Sequence, residues 1–346
     1  MSTKPFIAAR AEEFMDRRLE ALFRSLQWRE QVIGYTGYGS PDFVRLLARV
    51  VLVPHWSRSQ LGRATKEFVK RRGWRSFLTA PCVRVKVQVS IGERTMSITT
   101  DRGGYLDQRI VGHGLEPGWH TATVRTAGSD PVECEVLIVA ADTRFGLVSD
   151  IDDTVLTTWL PRPMIAAWNS FVRDESNRQS IPGMARFYRR YLDAHPGAPM
   201  LYLSTGAWNT YEFLQRFLAQ HGYPRGPMLL TDWGPTNTGW FRSGMEHKRT
   251  SLLRLAADFP QIAWLLVGDD GQHDPEIYAE FARSHPTHVA AVAIRELSPT
   301  EQVLAHGTNM PLEEPDELVD TDSTWVEAPD GRGLAGRLAG QLDLAD

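Results

Sequence analysis

Two aspartates stand two residues apart in Ser149-Asp150-Ile151-Asp152-Asp153-Thr154, directly after the apolar run 145–148. In an extended turn, side chains at i and i+2 point the same way. One carboxylate, that of Asp150, can attack phosphorus. The other, that of Asp152, can protonate the leaving oxygen and later activate water, which couples nucleophilic catalysis to general acid–base work. A carboxylate approaching a phosphate anion meets strong repulsion, so a metal and a cation are required. In Gly268-Asp269-Asp270-Gly271-Gln272-His273-Asp274, Asp269 with Asp274, or with Asp270, can hold Mg²⁺ together with Asp150 and the backbone carbonyl of Asp152. Oxygen-only ligands suit a hard cation that keeps several waters. Lys248, at a helix start, and the hydroxyl of Ser204 bind the non-bridging phosphoryl oxygens, with Thr205 beside them. Positioning and charge neutralisation are most of what phosphoryl transfer asks of a protein.

Each piece alone has an ordinary reading. Asp-x-Asp-x-Thr is commonly a turn or helix cap, Ser-Thr-Gly a loop, Lys248 a solvated helix residue and Gly-Asp-Asp-Gly a β-turn. What favours chemistry is that all four occur in order, each at a strand end or a helix start. Short apolar runs at 145–148, 200–203, 227–230, 264–267 and 289–294 alternate with helical stretches at 184–194, 209–220, 248–258 and 275–284. Buried strands alternating with helices read as an α/β unit, a parallel sheet covered on both faces, whose ligands bind beyond the carboxyl ends of the strands.

The chain before this region has a different rhythm. Met15, Leu19, Leu22 and Leu26 make residues 8–27 an amphipathic helix within an N-terminal segment 1–30. From 31 to 142 the pattern is that of strands: 43–53 is a long apolar run, and Val83, Val85, Val87 and Val89 alternate with Arg84, Lys86 and Gln88. Further strands at 95–99, 105–111, 119–126 and 132–140, with glycine-rich turns between them, predict a β-sandwich-like domain. The phosphatase-like domain then runs from 143 to 311, and 312–346, acidic and without periodicity, is expected to be a flexible tail.

The net charge of −4 over 346 residues gives no general case for nucleic-acid binding. The charge is uneven, however. Residues 56–77 carry seven basic residues and one acid beside Trp56, Phe68, Trp74 and Phe77. Basic residues next to interfacial aromatics favour anionic headgroups, so this stretch is a candidate for peripheral membrane contact; a solvated basic loop is the plainer reading. The two cysteines, Cys82 and Cys134, read as small buried hydrophobes rather than as a disulfide. No run of 18 apolar residues occurs, and the expected compartment is the cytoplasm. His113, His285 and His288 read as structural or solvated, while His273 lies inside the metal-loop pattern.

The ordered set resembles the haloacid dehalogenase superfamily. With Trp208-Asn209, His247-Lys248 and the run to Pro275-Glu276-Ile277-Tyr278, it is similar to the actin patch protein phosphatidate phosphatase family over roughly 140–300. That resemblance implies a Rossmann-like haloacid dehalogenase domain with a minimal cap, the segment after Thr157 being short. It implies Asp150 as nucleophile, Asp152 as acid/base, Thr154 and Ser204 orienting the phosphoryl group, Lys248 neutralising it, and Asp269 with Asp274 on Mg²⁺. An acid at Asp152 favours phosphatase or phosphomutase chemistry over dehalogenation. The sequence departs from the family at Thr205-Gly206-Ala207, where Gly-Ser-Pro is usual, and this bears on the substrate-facing loop. The expected activity is a Mg²⁺-dependent phosphatidate phosphatase; the alternatives are a phosphatase for soluble or nucleic-acid phosphomonoesters and a non-catalytic lipid-binding module.

Overall fold

Strict alternation of valine with polar residues makes one face of a strand apolar, and Lys86–Ile91 (β5) buries every second residue accordingly. The computed structural model describes residues 25–26, 28–54, 80–157, 179–231, 240–306 and 323–339. The expected N-terminal helix (apart from Ser25 and Leu26), the basic stretch 56–77 and the short cap segment 158–178 lie outside the described residues. Contacts divide the chain into two compact units, Met1–Ile138 and Val139–Asp346.

The first unit holds Arg29–Gly34 (β1), Gly37–Ser40 (β2), Phe43–Val53 (β3), Ala80–Pro81 (β4), β5, Arg94–Thr99 (β6), Tyr105–Val111 (β7), Gly118–Thr126 (β8) and Val132–Ile138 (β9). They form one nine-stranded sheet in the order β1-β3-β2-β9-β8-β5-β6, with β4 and β7 also on β3. All pairings are antiparallel except β2 with β9. Leu46 and Val50 of β3 share one apolar cluster with Val89 of β5 and Val124 of β8. Strands that far apart in hydrogen-bonding order meet only if the sheet folds back on itself. The packing is thus sandwich-like, but β2 makes the hydrogen bonding continuous where a sandwich keeps two sheets. Each such aliphatic side chain contributes roughly 1.5–3 kcal/mol on burial. Cys82 and Cys134 are both buried and unbridged, and burial pushes the Cys134 thiol up to about 12.

The second unit is α/β. Phe145–Ser149 (β10), Met200–Ala207 (β11), Met228–Thr231 (β12), Ala263–Asp269 (β13), Val289–Arg295 (β14) and Thr324–Ala328 (β15) form a six-stranded parallel sheet in the order β12-β11-β10-β13-β14-β15. Near-continuous burial along β10 and β13 means both faces are covered. The cover comes from Met184–Ala194 (α1), Tyr211–Gln220 (α2), Trp240–Asp258 (α3), Asp274–Ser284 (α4), Pro299–His306 (α5) and Gly331–Ala339 (α6). Helix α1 packs against α6, and α3 against α4. After β10 the chain moves to one side through β11 and β12, then returns to the other side at β13. This reversal opens a crevice at the carboxyl ends of β10 and β13.

The flexible-tail expectation for 312–346 is corrected over 324–339. Thr324–Ala328 pairs in register with Ala291–Arg295, and Leu334 and Leu338 of α6 are fully buried. Val326 and Ala328 supply the apolar face that the surrounding acids obscure in the sequence.

Candidate active site

Four of the expected residues arrive at the crevice from four different elements. Asp150 follows β10, its backbone N–H held by the Val267 carbonyl at 2.9 Å. Asp269 ends β13, Asp274 begins α4, and Lys248 projects from the middle of α3. All four are at most 2% exposed. The Lys248 ammonium donates to Asp150 Oδ1 at 2.8 Å and to Asp274 Oδ1. Oxygens of Asp150, Asp269 and Asp274 lie within 4.8 Å of one another.

Close backbone approach makes this possible. A Cβ on Gly268 would stand 2.7 Å from the Cβ of Asp274, so only glycine lets the first turn of α4 fold back beside the end of β13. The Asp269 carboxylate is fixed by the Gly271 N–H at 2.9 Å and the Thr154 hydroxyl at 3.4 Å. Asp152 accepts from the Ser204 hydroxyl at 3.0 Å, and Ser204 in turn accepts from the Gly206 N–H at 2.9 Å. A side chain on Gly206 would sit 3.1 Å from Ser204 Oγ and 4.0 Å from Asp152 Oδ2. Glycine there keeps the space in front of both groups open. Thr205 sets its methyl group toward Gly244 of α3, and its carbonyl accepts from Thr231.

Electrostatics follow from the burial. Desolvation raises Asp150 well above the usual carboxylate range, opposed by Lys248 and reinforced by Asp274 and Asp152. Asp269 is raised in the same way by burial, then by Asp274, Asp150 and Asp153. Burial works against the Lys248 charge, yet Asp150 and Asp274 hold that ammonium above its ordinary value. Three carboxylates thus share one cation, and two buried oxygens, Asp150 Oδ2 and Asp274 Oδ2, have no hydrogen-bond partner among the described residues. Oxygen donors left unsatisfied inside a protein fit a hard metal ion.

Asp270 does not join this group. Its carboxylate turns away to accept the Leu297 N–H at 2.8 Å, and burial raises it to about 6. The sequence offered two neighbouring aspartates, and the turn at Gly271 selects Asp269. The Asp152 carboxylate likewise faces Ser204 rather than the three-aspartate cluster. His113 is structural: its ring bonds the Ser40 carbonyl and the Leu115 N–H. His273 precedes α4 with Nδ1 3.4 Å from Glu276.

Two features escaped the sequence reading. The Tyr188 hydroxyl lies 2.6 Å from Ser149 Oγ, which donates to the Asp150 carbonyl, so Tyr188 supports the Asp150 peptide. Arg295, at the end of β14, is buried. A charged residue closing an otherwise apolar strand was the available signal.

Residues 145–296 match the family described as "Phosphatidate phosphatase APP1, catalytic domain". This segment, less than half of the chain, is similar to the APP1 catalytic domains. The yeast Saccharomyces cerevisiae protein "Phosphatidate phosphatase APP1" is 29% identical over 152 residues, 43% of this chain and 25% of that protein. An uncharacterized protein of Schizosaccharomyces pombe is 26% identical over 152 residues, 44% of this chain and 25% of its own length. The chain therefore matches about a quarter of the length of these curated relatives. A Thermotoga maritima protein solved as a candidate beta-phosphoglucomutase aligns at 11% identity with a TM-score of 0.34, over 57% of this chain and 100% of that one; at that score the likeness carries no argument. The matched segment contains all the converging side chains, from Asp150 to Asp274. It stops before α5, β15 and α6.

Proposed function

We propose that the chain is a phosphomonoesterase of haloacid dehalogenase type that works through an aspartyl-phosphate on Asp150, uses Mg²⁺ and acts on phosphatidate-like lipids. The observation that carries this reading is the Lys248 ammonium bridging Asp150 and Asp274 while a second oxygen of each carboxylate lies buried and, among the described residues, unpartnered. Asp150, Asp269 and Asp274 are the residues that would hold Mg²⁺, which when bound withdraws charge from the phosphoryl oxygens.

In the first step a carboxylate oxygen of Asp150 bonds to phosphorus, and the ester P–O bond breaks. Asp152, protonated, gives its proton to the departing alkoxide. In the second step Asp152 takes a proton from water, the hydroxide oxygen bonds to phosphorus, and the acyl–phosphate P–O bond breaks to release phosphate. Ser204 keeps the Asp152 carboxylate turned to the front of the site in both steps. Lys248 offsets the charge that accumulates as two anions meet. Phosphatidate is favoured as substrate by the description of the matched family and of its yeast member. The Thr205-Gly206-Ala207 departure favours the second reading, a soluble phosphomonoester, because it alters the substrate-facing loop.

The test compares phosphate release from phosphatidate vesicles with release from soluble phosphomonoesters, each with Mg²⁺ and with a chelator. Vesicle-borne substrate should be preferred, and Asp150→Asn should reduce turnover to background. Turnover confined to soluble esters would remove the lipid reading. Equal rates for wild type and Asp150→Asn would remove the catalytic one.

A further inference from the structure

The turn that carries the proposed acid/base is anchored at three consecutive residues. Asp152 is held by Ser204 and Thr154 bonds to Asp269. Between them Asp153 adopts a left-handed backbone, φ 58°, which is uncommon for any residue but glycine. Its carbonyl receives Nη1 of Arg295 at 2.6 Å, across 142 residues of sequence.

Arg295 has two further partners. Its Nε donates to the Pro329 carbonyl at 3.2 Å, and its Nη2 pairs with Glu301 at 2.7 Å. Pro329 lies just after β15, and Glu301 sits in α5. The rigid, planar guanidinium thus spans three separate segments, a task its fork of donors suits better than a lysine would. Strand β15 reinforces the arrangement: Ala328 pairs in register with Arg295, and the Ala328 carbonyl accepts the Glu296 N–H at 3.0 Å. The Gly331 N–H donates to the Pro182 carbonyl at 3.0 Å, fixing the start of α6 beside α1.

We infer that Arg295 is a positioning residue for the Asp152–Thr154 turn, and that α5 and the β15–α6 stretch 324–339, outside the APP1 match, complete the catalytic unit by holding Arg295 in place. The kinetic part of this inference rests on the phosphatase reading; the structural part does not. The turn's own hydrogen bonds, Asp153 N–H to the Leu156 carbonyl and Val155 N–H to the Ile151 carbonyl, provide a direct reporter.

The experiment measures amide hydrogen exchange at 151–157 in the full chain for wild type, Arg295→Met, Arg295→Lys and Glu301→Gln, alongside steady-state kinetics. Arg295→Met should speed exchange in the turn about tenfold or more while β8 in the other unit stays unchanged. Its kcat should fall on the order of 10- to 100-fold, with KM within about twofold, as expected for a misplaced catalytic group. Arg295→Lys should lie between Met and wild type, because an ammonium cannot reproduce the fork. Glu301→Gln should have the smallest effect. Adding Asp153→Gly to Arg295→Met should restore part of the exchange protection, since glycine occupies the left-handed region without strain. Unchanged exchange at 151–157 in Arg295→Met would overturn the inference. A Glu301→Gln variant identical to wild type in both exchange and kcat would overturn the role given to α5. If wild type hydrolyses no ester, the phosphatase reading fails, and the exchange result still decides the role of Arg295.

Discussion

The two units bury opposite kinds of material. Among the described residues, the buried polar groups of Met1–Ile138 are hydroxyls and one imidazole: Thr36, Ser40, Thr100, Thr126 and His113. The unit Val139–Asp346 buries Asp150, Asp269, Asp274, Lys248 and Arg295. Taking an ion out of water costs several kcal/mol even after relaxation. A sheet built only for stability has no reason to gather five titratable side chains away from water. Among the described residues the antiparallel unit buries no acid, lysine or arginine, whereas the parallel unit gathers five of them. Its charges gather at the carboxyl ends of β10, β13 and β14, where backbone groups are already directed outward from the sheet.

The sharpest way to test this contrast is to remove one buried group from each unit. Lys248→Met leaves Asp150 and Asp274 without their shared cation and should destabilise the metal-free protein by about 3–5 kcal/mol. Leu46→Ala in β3 should cost a similar amount, about 2–5 kcal/mol, through lost packing. Mg²⁺ should recover part of the first loss and none of the second in urea unfolding. Equal responses to Mg²⁺ would erase the distinction. A smaller effect is expected at Gly268, where an added methyl must displace Asp274. Gly268→Ala should cost about 1–3 kcal/mol and weaken the metal-induced rise in Tm.

The pH dependence of metal binding sharpens the comparison further. Burial raises Asp150 and Asp269, so the folded metal-free protein keeps protons that the unfolded chain releases from about pH 3.9 upward. Stability of the metal-free protein therefore falls as pH climbs through that window. A metal ion must displace those protons, so its stabilising effect grows with pH, by at most about 1.4 kcal/mol per pH unit for each proton released. Melting temperatures with and without Mg²⁺ at pH 5 and pH 8 should show the larger increment at pH 8. Equal increments would mean that the buried carboxylates are already ionised.

Much of this arrangement was legible in the chain, for reasons that can be stated residue by residue. The α1 boundaries follow from the sequence because Met184, Phe187, Tyr188 and Tyr191 repeat at helical spacing and all four are buried. The strands β10, β11 and β13 announce themselves as apolar runs that end in Asp, Ser and Asp. What stayed hidden depends on distance or on competing composition. Arg295 meets Asp153 across 142 residues, and no local pattern encodes that meeting. The choice of Asp269 over Asp270 is made by backbone geometry at Gly271. Strand β15 is masked by neighbouring acids, and Gly331, Gly333 and Gly336 make α6 a poor helix by propensity. Both elements owe their existence to the surfaces they cover.

The inertness of the native sulfur has a practical consequence. With Cys82 and Cys134 sealed in the β-rich unit, and the latter's thiolate scarce at neutral pH, neither should react with a maleimide while the protein is folded. Exposed Ser97 on β6 and Gln215 on α2 could each be converted to cysteine and carry a spin label or fluorophore as the sole reactive thiols. Interprobe distances between the two units would then be measurable in the otherwise unaltered chain, with substrate or vesicles added at will.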